Sequence, residues 1–215
     1  MHVVAARHVL FIPPRQGFGQ AGSLHLDRAL KNNMLRILLS DNDDSFTMNL
    51  AHLLHAATGS TPQVVNHTAL AARAPAAEQD LVVISPGPGH PDEYPCYGPV
   101  LQSGRPVLGI CLGMQIINCH FGGTVKALAG CVHGKSDTVV MTDADKTLTV
   151  GRYHSLHCAT TGAGLQVTGR TPQGLVMALR HNSLPLYGYQ FHPESFLTAE
   201  GVWCIRHALR SLHIL

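Results

Sequence analysis

Short apolar runs alternate with helical patterns in the first half of the chain, and this alternation restricts the fold more than any other feature. The segment after the first run predicts a helix capped by Asp44 or Ser45, with Phe46 on its apolar face. Strands separated by helices are typical of a parallel sheet with helices on both faces, whose functional loops gather at the carboxyl ends of the strands. The predicted strands are residues 35–40, 63–66, 81–85 and 107–110.

The later half of the chain predicts a different strand arrangement. Strand-like runs separated by Gly and Asp turns lie between residues 124 and 189, and this spacing favours antiparallel pairing. Residues 199–212 predict a closing helix with Trp203 and Leu209 facing inward. The chain as a whole predicts an α/β fold with an open, mostly parallel sheet flanked by helices and a small antiparallel addition.

A cysteine lies between two glycines where the fourth run meets a helical pattern, in the segment GICLG at residues 109–113. Glycines two before and two after the cysteine permit a tight turn, in which the central residue adopts strained angles and points away from the sheet. A cysteine at a helix start also meets unpaired backbone N–H groups and the positive end of the helix dipole, which favour the thiolate. The pattern predicts a nucleophile at Cys111.

A histidine and a carboxylate follow the last apolar strand, two residues apart. His192 and Glu194 leave the strand end as it runs out into a loop, so they are expected roughly on one side. An imidazole can activate a thiol and protonate a leaving amine, and a carboxylate on its second nitrogen fixes the tautomer. His192 is therefore the predicted base, and Glu194 the predicted group that orients it.

A rigid loop of alternating prolines and glycines, SPGPG at residues 85–89, follows the third run. Such a loop allows close approach of the backbone and can point N–H groups into a site at the carboxyl edge of the sheet. A tetrahedral intermediate needs such donors. We expect the oxyanion hole to be formed by the N–H groups of Gly87 and of Leu112, the residue after the nucleophile.

Each of these patterns has a plain structural explanation when it is taken alone. Free cysteines are commonly buried as small apolar residues, and a lone histidine is more often a satisfied side chain than a catalyst. The three patterns occur together in one chain, and their combination favours an enzyme.

Cysteine and histidine spacings argue against metal and disulfide chemistry. The six cysteines show no C-x-x-C pattern, so we expect neither a disulfide framework nor a zinc site, and we expect a reducing, cytoplasmic compartment. His154 and His157 could bring two imidazoles together, but no third ligand accompanies them. We therefore predict no metal site.

Composition and charge describe an ordinary globular domain. Of the 215 residues 45% are hydrophobic and 13% charged, which supplies ample core for one domain. No apolar run approaches the ~20 residues of a membrane helix. The net charge is +2, but residues 1–33 carry four basic side chains against one acidic, which leaves −1 on the rest. We expect neither membrane nor nucleic-acid binding.

Residues 1–33 precede a segment that already resembles a complete domain start at Met34. We expect an N-terminal extension at 1–33, either loose or an over-extended start, and one domain at 34–215. The Arg-rich, acid-poor composition of the extension also permits a transit peptide, although Ser23 is its only serine.

Six ordered motifs resemble class I glutamine amidotransferases, and most closely the small subunit of anthranilate synthase or of aminodeoxychorismate (para-aminobenzoate) synthase. The resemblance runs from about Met34 to the C-terminus and implies the flavodoxin-like fold of that family. The motifs are DNDDSFTMNL (41–50), SPGPG (85–89), GICLGMQ (109–115), HGK (133–135), RYHSL (152–156) and GYQFHPES (188–195).

The resemblance also implies a reaction and a set of site residues. Cys111 attacks the side-chain amide of L-glutamine, His192 protonates the departing ammonia and later activates water, and Glu194 orients His192. The glutamyl thioester that forms is then hydrolysed. Residues implied to hold or border the glutamine are Gly87, Leu112, Gln115, Ser155 and Leu156.

A partner subunit is implied as well. Ammonia passes to a chorismate-binding synthase subunit, glutamine hydrolysis stays slow until that subunit binds, and this chain itself needs no metal and no organic cofactor. The sequence leaves open whether the product is anthranilate, for tryptophan, or aminodeoxychorismate, for folate.

Two positions depart from the pattern of the family. Asp43 occupies a position that is usually tyrosine, and Met114 one that is often histidine in this subfamily. Neither is a predicted catalytic position, so we expect activity to be retained.

Two other classes of function stay open. One is a stand-alone thiol hydrolase of the same fold, such as a gamma-glutamyl hydrolase or a peptidase-like enzyme, against which the DNDDSF and YHSL segments count. The other is a non-catalytic scaffold, against which the presence of Cys111, His192 and Glu194 counts.

Overall fold

Parallel strands form one half of the central sheet, as the alternation of apolar runs predicts. The computed structural model describes residues 34–71, 78–128, 130 and 133–215, of which 35–215 fall in one compact unit. The strands are β1 (Ile37–Asp41), β2 (Gln63–Asn66), β3 (Leu81–Ile84), β4 (Val107–Ile110), β5 (Thr124–Ala127), β6 (Lys135–Met141), β7 (Lys146–Arg152), β8 (Leu156–Thr160), β9 (Leu165–Arg170), β10 (Val176–His181) and β11 (Leu186–Tyr189). The helices are α1 (Thr47–Thr58), α2 (His67–Ala71), α3 (Gly98–Leu101), α4 (Leu112–His120) and α5 (Gly201–Ser211), with 3-10 turns at Pro91–Glu93 and Pro95–Tyr97.

Nine of the strands in the described part of the chain join in the order β2-β1-β3-β4-β11-β10-β9-β6-β7. The first five are parallel to one another, and the last four continue the sheet with antiparallel pairing. Strands β5 and β8 form a separate antiparallel ribbon. The predicted α/β class, with a mostly parallel sheet and an antiparallel addition, is confirmed.

Two hydrophobic cores lie on the two faces of this sheet. Successive strand residues point to opposite faces, so Leu39 and Val83 pack with α1 and α5, whereas Leu38 and Val82 pack with α3 and α4. The apolar runs are continuous because both faces of a parallel sheet are covered. This leaves the strand ends as the accessible part of the sheet.

The predicted cap of α1 is wrong. The helix begins after Phe46, at an N-cap position without a side-chain hydrogen bond. The Asp44 carboxylate instead accepts from the N–H of Phe46, two residues on, at 2.8 Å, and the Asp41 carboxylate accepts from the Thr47 hydroxyl at 2.7 Å. Asp44 therefore shapes the turn before the helix, a local bond that competes with capping.

The closing helix is two residues shorter at its start than the predicted segment, and its inward face is partly as expected. Leu209 is fully buried, whereas Trp203 is only half-buried. The Trp203 ring stacks on His207 with centroids 4.9 Å apart, and Lys146 Nζ lies 4.6 Å from its centroid. Trp203 thus covers the core edge instead of filling the core.

Some predictions lie outside the described residues, namely those on the extension 1–33 and on Cys131. Among the residues that are described, no helix is long and apolar enough to cross a membrane.

Candidate active site

A cavity of about 170 Å³ opens where the loops after β3, β4 and β7 meet. It combines residues from three sequence motifs that are far apart in the chain. Its lining consists of Gly87, Pro88, Gly89, Cys111, Leu112, Gln115, Tyr153, His154, Ser155 and Leu156.

Cys111 sits at the turn from β4 into α4 with φ 53° and ψ −103°, a backbone conformation that non-glycine residues rarely adopt. Its N–H donates to the Tyr189 carbonyl at 2.7 Å, and its carbonyl accepts from the Gln115 N–H at 3.2 Å. A Cβ on Gly109 would lie 2.4 Å from the Gly113 carbonyl carbon. The two glycines therefore allow the strand and the helix to approach closely enough for this turn.

The SPGPG loop is fixed beside Leu112 by the end of β1. The N–H of Asn42 donates to Ser85 Oγ and its side-chain amide to the Ser85 carbonyl, both at 2.9 Å. A Cβ on Gly87 would lie 2.6 Å from both Asn42 Cβ and Leu112 Cδ2. Only glycine fits there, and the two backbone segments predicted to donate to an oxyanion are adjacent.

His192 and Glu194 form a buried pair. His192 Nδ1 donates to Glu194 Oε1 at 2.7 Å, with the two side chains 3% and 0% exposed. His192 Nε2 and Glu194 Oε2 have no hydrogen-bond partner among the described residues. Burial lowers the pKa of His192, but Cys111 and Glu194 outweigh it, so that the pKa lies well above its usual value. The imidazole is thus electrostatically coupled to both Cys111 and Glu194.

Two aromatic rings, Phe46 and Tyr153, contact the His192 ring, and we call them the aromatic collar. Their centroids lie 5.3 Å and 5.1 Å from that of His192, both in edge-on geometry, and 4.9 Å from each other. The Tyr153 hydroxyl bonds to Ser195 Oγ at 2.9 Å. The collar restricts rotation of the imidazole from two sides.

The loop after β7 is held by a buried histidine. Burial lowers the pKa of His154 to about 4, with a smaller contribution from neighbouring Arg152. Neutral His154 donates from Nδ1 to the Leu156 carbonyl at 2.7 Å and accepts at Nε2 from Arg152 Nε at 3.1 Å. Ser155, between these anchored residues, is exposed at the cavity.

Sequence reasoning assigned no role to Gln190. This residue is fully buried, and its side-chain Nε2 donates to Cys111 Sγ at 3.6 Å. Gln115 Nε2 donates to Gln190 Oε1 at 3.0 Å and to the Leu156 carbonyl at 3.2 Å. The sequence carries one signal for this residue: it is an amide two residues before His192 at the end of an apolar strand. Because alternate strand residues point to the same side, this spacing indicates that Gln190 and His192 share a side.

The structure brings most of the predicted site residues together. Cys111 and all five predicted glutamine-contacting residues line the cavity, whereas His192 and Glu194 do not line it and are buried. Their roles in catalysis and binding remain predictions. No group of three or more metal-ligating side chains capable of holding an ion occurs within the residues described.

Both departures from the family pattern have a structural account. Met114 is fully buried and packs on Gly188, where a Cβ would lie 2.6 Å from Met114 Cγ. Asp43 is exposed at φ 58° and accepts from the Asn66 amide at 2.7 Å. Neither of these residues lines the cavity.

Chemically, the arrangement suits displacement at a carbonyl carbon. A thiol at a helix start faces a small cavity, an imidazole is coupled to it, and a carboxylate holds the distal nitrogen of that imidazole. These are the parts of a nucleophile, a base and an orienting group.

Comparison with known proteins identifies the family of this chain. The family model "Glutamine amidotransferase class-I" matches residues 38–211. The chain is 40% identical over 177 residues to anthranilate synthase component 2 of Azospirillum brasilense, covering 77% of this chain and 90% of the relative. It is 44% identical over 179 residues to an anthranilate synthase of that organism and 40% identical over 178 residues to aminodeoxychorismate synthase of Streptomyces griseus.

Those last two alignments include 77% and 78% of this chain but only 24% and 25% of the relatives. The chain therefore spans about a quarter of the length of each of these two relatives. A solved structure described as a GMP synthase subunit of Thermoplasma acidophilum shares the fold, with a TM-score of 0.74, 23% identity and coverage of 84% of this chain and 94% of that one. On the family match and the component 2 relative, the chain belongs to the class I glutamine amidotransferase family.

Proposed function

We propose that this chain hydrolyses L-glutamine at the cavity and passes the ammonia to a chorismate-binding synthase subunit, which forms anthranilate or aminodeoxychorismate. The observation that carries the proposal is the position of Cys111, which lines the cavity from a strained turn and acts on the pKa of His192. The names of the similar proteins support the pathway, since they are anthranilate and aminodeoxychorismate synthases.

In the first half of the reaction, Cys111 Sγ attacks the carbon of the glutamine side-chain amide. His192 Nε2 takes the thiol proton as the C–S bond forms, and it gives that proton to the departing ammonia as the C–N bond breaks. The oxygen of the tetrahedral intermediate is stabilised by the N–H groups of Gly87 and Leu112. The product of this half is a glutamyl thioester and free ammonia.

In the second half, His192 takes a proton from water as the water attacks the thioester. The C–S bond breaks, glutamate leaves and the thiol is regenerated. Glu194 keeps Nδ1 protonated throughout, so Nε2 is the nitrogen that exchanges protons.

The amino-acid end of glutamine is assigned to Gln115, Ser155 and Leu156. Ser155 is exposed at the cavity between two anchored residues, so its hydroxyl and backbone are available to a ligand. We also infer a cytoplasmic location, because the described cysteines Cys96, Cys111, Cys119, Cys158 and Cys204 are free thiols.

The test is product formation by the complex with its synthase subunit. Cys111→Ala should abolish synthesis that uses glutamine and leave synthesis that uses added ammonium salt unchanged, because only the ammonia source is lost. Cys119→Ala provides the control, since this half-buried cysteine lies on the same helix but not at the cavity.

A glutamine-analogue diazoketone followed by mass spectrometry separates the other functions. A glutaminase is labelled at Cys111, and a scaffold is not labelled. Glutamine hydrolysis at full rate without the synthase subunit would point to a stand-alone hydrolase, and undiminished glutamine-dependent synthesis by Cys111→Ala would refute the proposed nucleophile.

A further inference from the structure

Gln190 is a buried amide that the mechanism above does not use. Its side chain is fully buried next to Cys111, immediately after β11. Its backbone N–H is already bonded to the Met177 carbonyl at 2.9 Å. Because a buried amide is costly unless its donor and acceptor find partners, the contacts of this side chain are informative.

The amide forms the middle of a chain of hydrogen bonds that ends at the sulfur. The Leu156 carbonyl accepts from Gln115 Nε2 at 3.2 Å, Gln190 Oε1 accepts from the same Nε2 at 3.0 Å, and Gln190 Nε2 donates to Cys111 Sγ at 3.6 Å. The length of the last contact is normal for a sulfur acceptor, which is larger than oxygen.

The direction of donation along these hydrogen bonds is fixed at Leu156, the end away from the sulfur. A backbone carbonyl only accepts, so Gln115 must turn its NH₂ group toward Leu156. Gln190 must then turn its oxygen toward Gln115 and its NH₂ group toward the sulfur. The donor at Cys111 is therefore dictated by the backbone carbonyl of Leu156, the first residue of β8.

We propose that Gln190 is a catalytic residue, whose amide donates a hydrogen bond to Cys111 Sγ, stabilises the thiolate when it forms and holds the sulfur directed at the cavity. An ionised sulfur accepts this bond more strongly than a thiol does, so the bond favours the reactive form. The three hydrogen bonds also link the position of Leu156 to that of Cys111 Sγ. The role in turnover rests on the proposed function, whereas the bond to the sulfur does not.

The test is the pH dependence of Cys111 alkylation by iodoacetamide, followed on the Cys111 peptide by mass spectrometry. Gln190→Glu is the informative variant, because a carboxylate can still accept from Gln115 but cannot donate to sulfur. Gln190→Met removes both bonds at similar size. Both should move the midpoint of the pH–rate profile upward by about one to two pH units, with the larger shift for Gln190→Glu because it adds a negative charge.

The control is Asn118→Leu. Asn118 lies on α4 and, like Gln190, has a fully buried side-chain amide, but this amide donates to the Thr160 carbonyl at 2.9 Å and not to sulfur. It should keep the wild-type midpoint. The native titratable groups that act near the sulfur, His192 and Cys158, are unchanged in every variant. Gln190→Met adds no titratable group of its own, so its midpoint reports on the lost bond alone.

Raising the pH above the new midpoint should restore the alkylation rate of the Gln190 variants, because the thiolate then forms without the bond; a merely structural defect would not be restored. Folded Gln190 variants with the wild-type midpoint would overturn the inference. A wild-type complex that hydrolyses no glutamine would instead overturn the proposed function, and the alkylation profile would still report on the bond.

Discussion

Cys111 is strained, and the residues around it leave the backbone no easier conformation. A non-glycine residue at φ 53° costs on the order of 1–3 kcal/mol. Its N–H donates to Tyr189 and its carbonyl accepts from Gln115, so the peptide groups before and after Cys111 are both held in place. Relaxation of φ would break at least one of these bonds, so the side chain stays directed at the cavity.

His154 predicts a loss of stability in acid. Its pKa is about 6.5 in the unfolded chain and about 4 in the folded protein. A base with a lowered folded pKa binds fewer protons in the native state, so its contribution is complete above pH 6.5 and is lost as the pH falls from about 6.5 to about 4. The full loss is about 3 kcal/mol.

Urea unfolding of the wild type and of His154→Asn at about pH 7 and pH 4.5 measures this contribution. Between these two pH values, the free energy of unfolding should fall by about 2 kcal/mol more in the wild type than in His154→Asn. His52→Asn, at an exposed position on α1, should follow the wild type. Equal slopes for the wild type and His154→Asn would show that His154 is not the group responsible.

At this scale, sequence reasoning found the residues whose signal is local. Cys111 is marked by its flanking glycines, and His192 with Glu194 by the end of a strand. The bonds that Gln190 and Asn42 make could not be predicted in this way, because their partners Cys111 and Ser85 are 79 and 43 residues away in the chain. Their roles arise only when the strands pair.

Three connections between elements converge on the His192 ring. Phe46 comes from the end of the β1–α1 loop, Tyr153 from the loop after β7, and His192 from the loop after β11. Aromatic contacts of this kind contribute about 0.5–1.5 kcal/mol beyond burial. Because Phe46 touches His192 and does not line the cavity, its effect should fall on catalysis more than on binding.

Phe46→Ala should therefore lower kcat for glutamine-dependent synthesis by about threefold to tenfold with little change in KM, because the imidazole gains rotational freedom. Steady-state kinetics of the complex at varied glutamine measure both constants. Met48→Ala, which removes a 56% exposed side chain two residues away in the first turn of α1, should leave both unchanged. A rise in KM at constant kcat would instead place Phe46 in substrate binding.

Elements with their own apolar signal were predicted closely, as was the direction in which they pair, but their order in the sheet was not. The strands at residues 63–66 and 107–110 have the predicted bounds, while β1 begins two residues later than predicted, at Ile37. The order of the antiparallel half depends on cross-strand contacts, such as those between β6 and β9. A periodic pattern in a single strand does not specify its neighbours.

For the molecule as a whole, strand order explains why the site exists. Strand β11 lies beside β4, with Tyr189 paired to Ile110. The residues that follow these two strands are therefore neighbours, although 79 positions separate Cys111 from Gln190. The site thus forms at the carboxyl ends of the last two strands of the parallel half, β4 and β11, next to the antiparallel half.

A polar cluster in the antiparallel half connects the sheet to α5. Asp143, between β6 and β7, accepts from the Tyr187 hydroxyl at 3.0 Å and lies 3.1 Å from His207 Nε2 on α5. Tyr187 OH also lies 3.2 Å from Thr168 Oγ1 on β9. The side chains of Asp143 and His207 are only 12% and 13% exposed, so solvent replaces these contacts poorly.

Asp143→Ala should lower the free energy of unfolding by about 1–3 kcal/mol, because it removes the acceptor of the buried Tyr187 hydroxyl and the carboxylate that faces His207 Nε2. Glutamine-dependent turnover per folded molecule should stay at the wild-type level, since Asp143 does not line the cavity. Thr149→Ala, at an exposed position of the same hairpin, should change stability by no more than about 0.5 kcal/mol. Urea unfolding and steady-state kinetics on the same preparations separate the two quantities. If Asp143→Ala instead loses turnover but keeps the wild-type free energy of unfolding, the cluster acts on the site and not on the fold. A change at Asp143 would then reach the loop that carries His192 through β11, to which Tyr187 belongs.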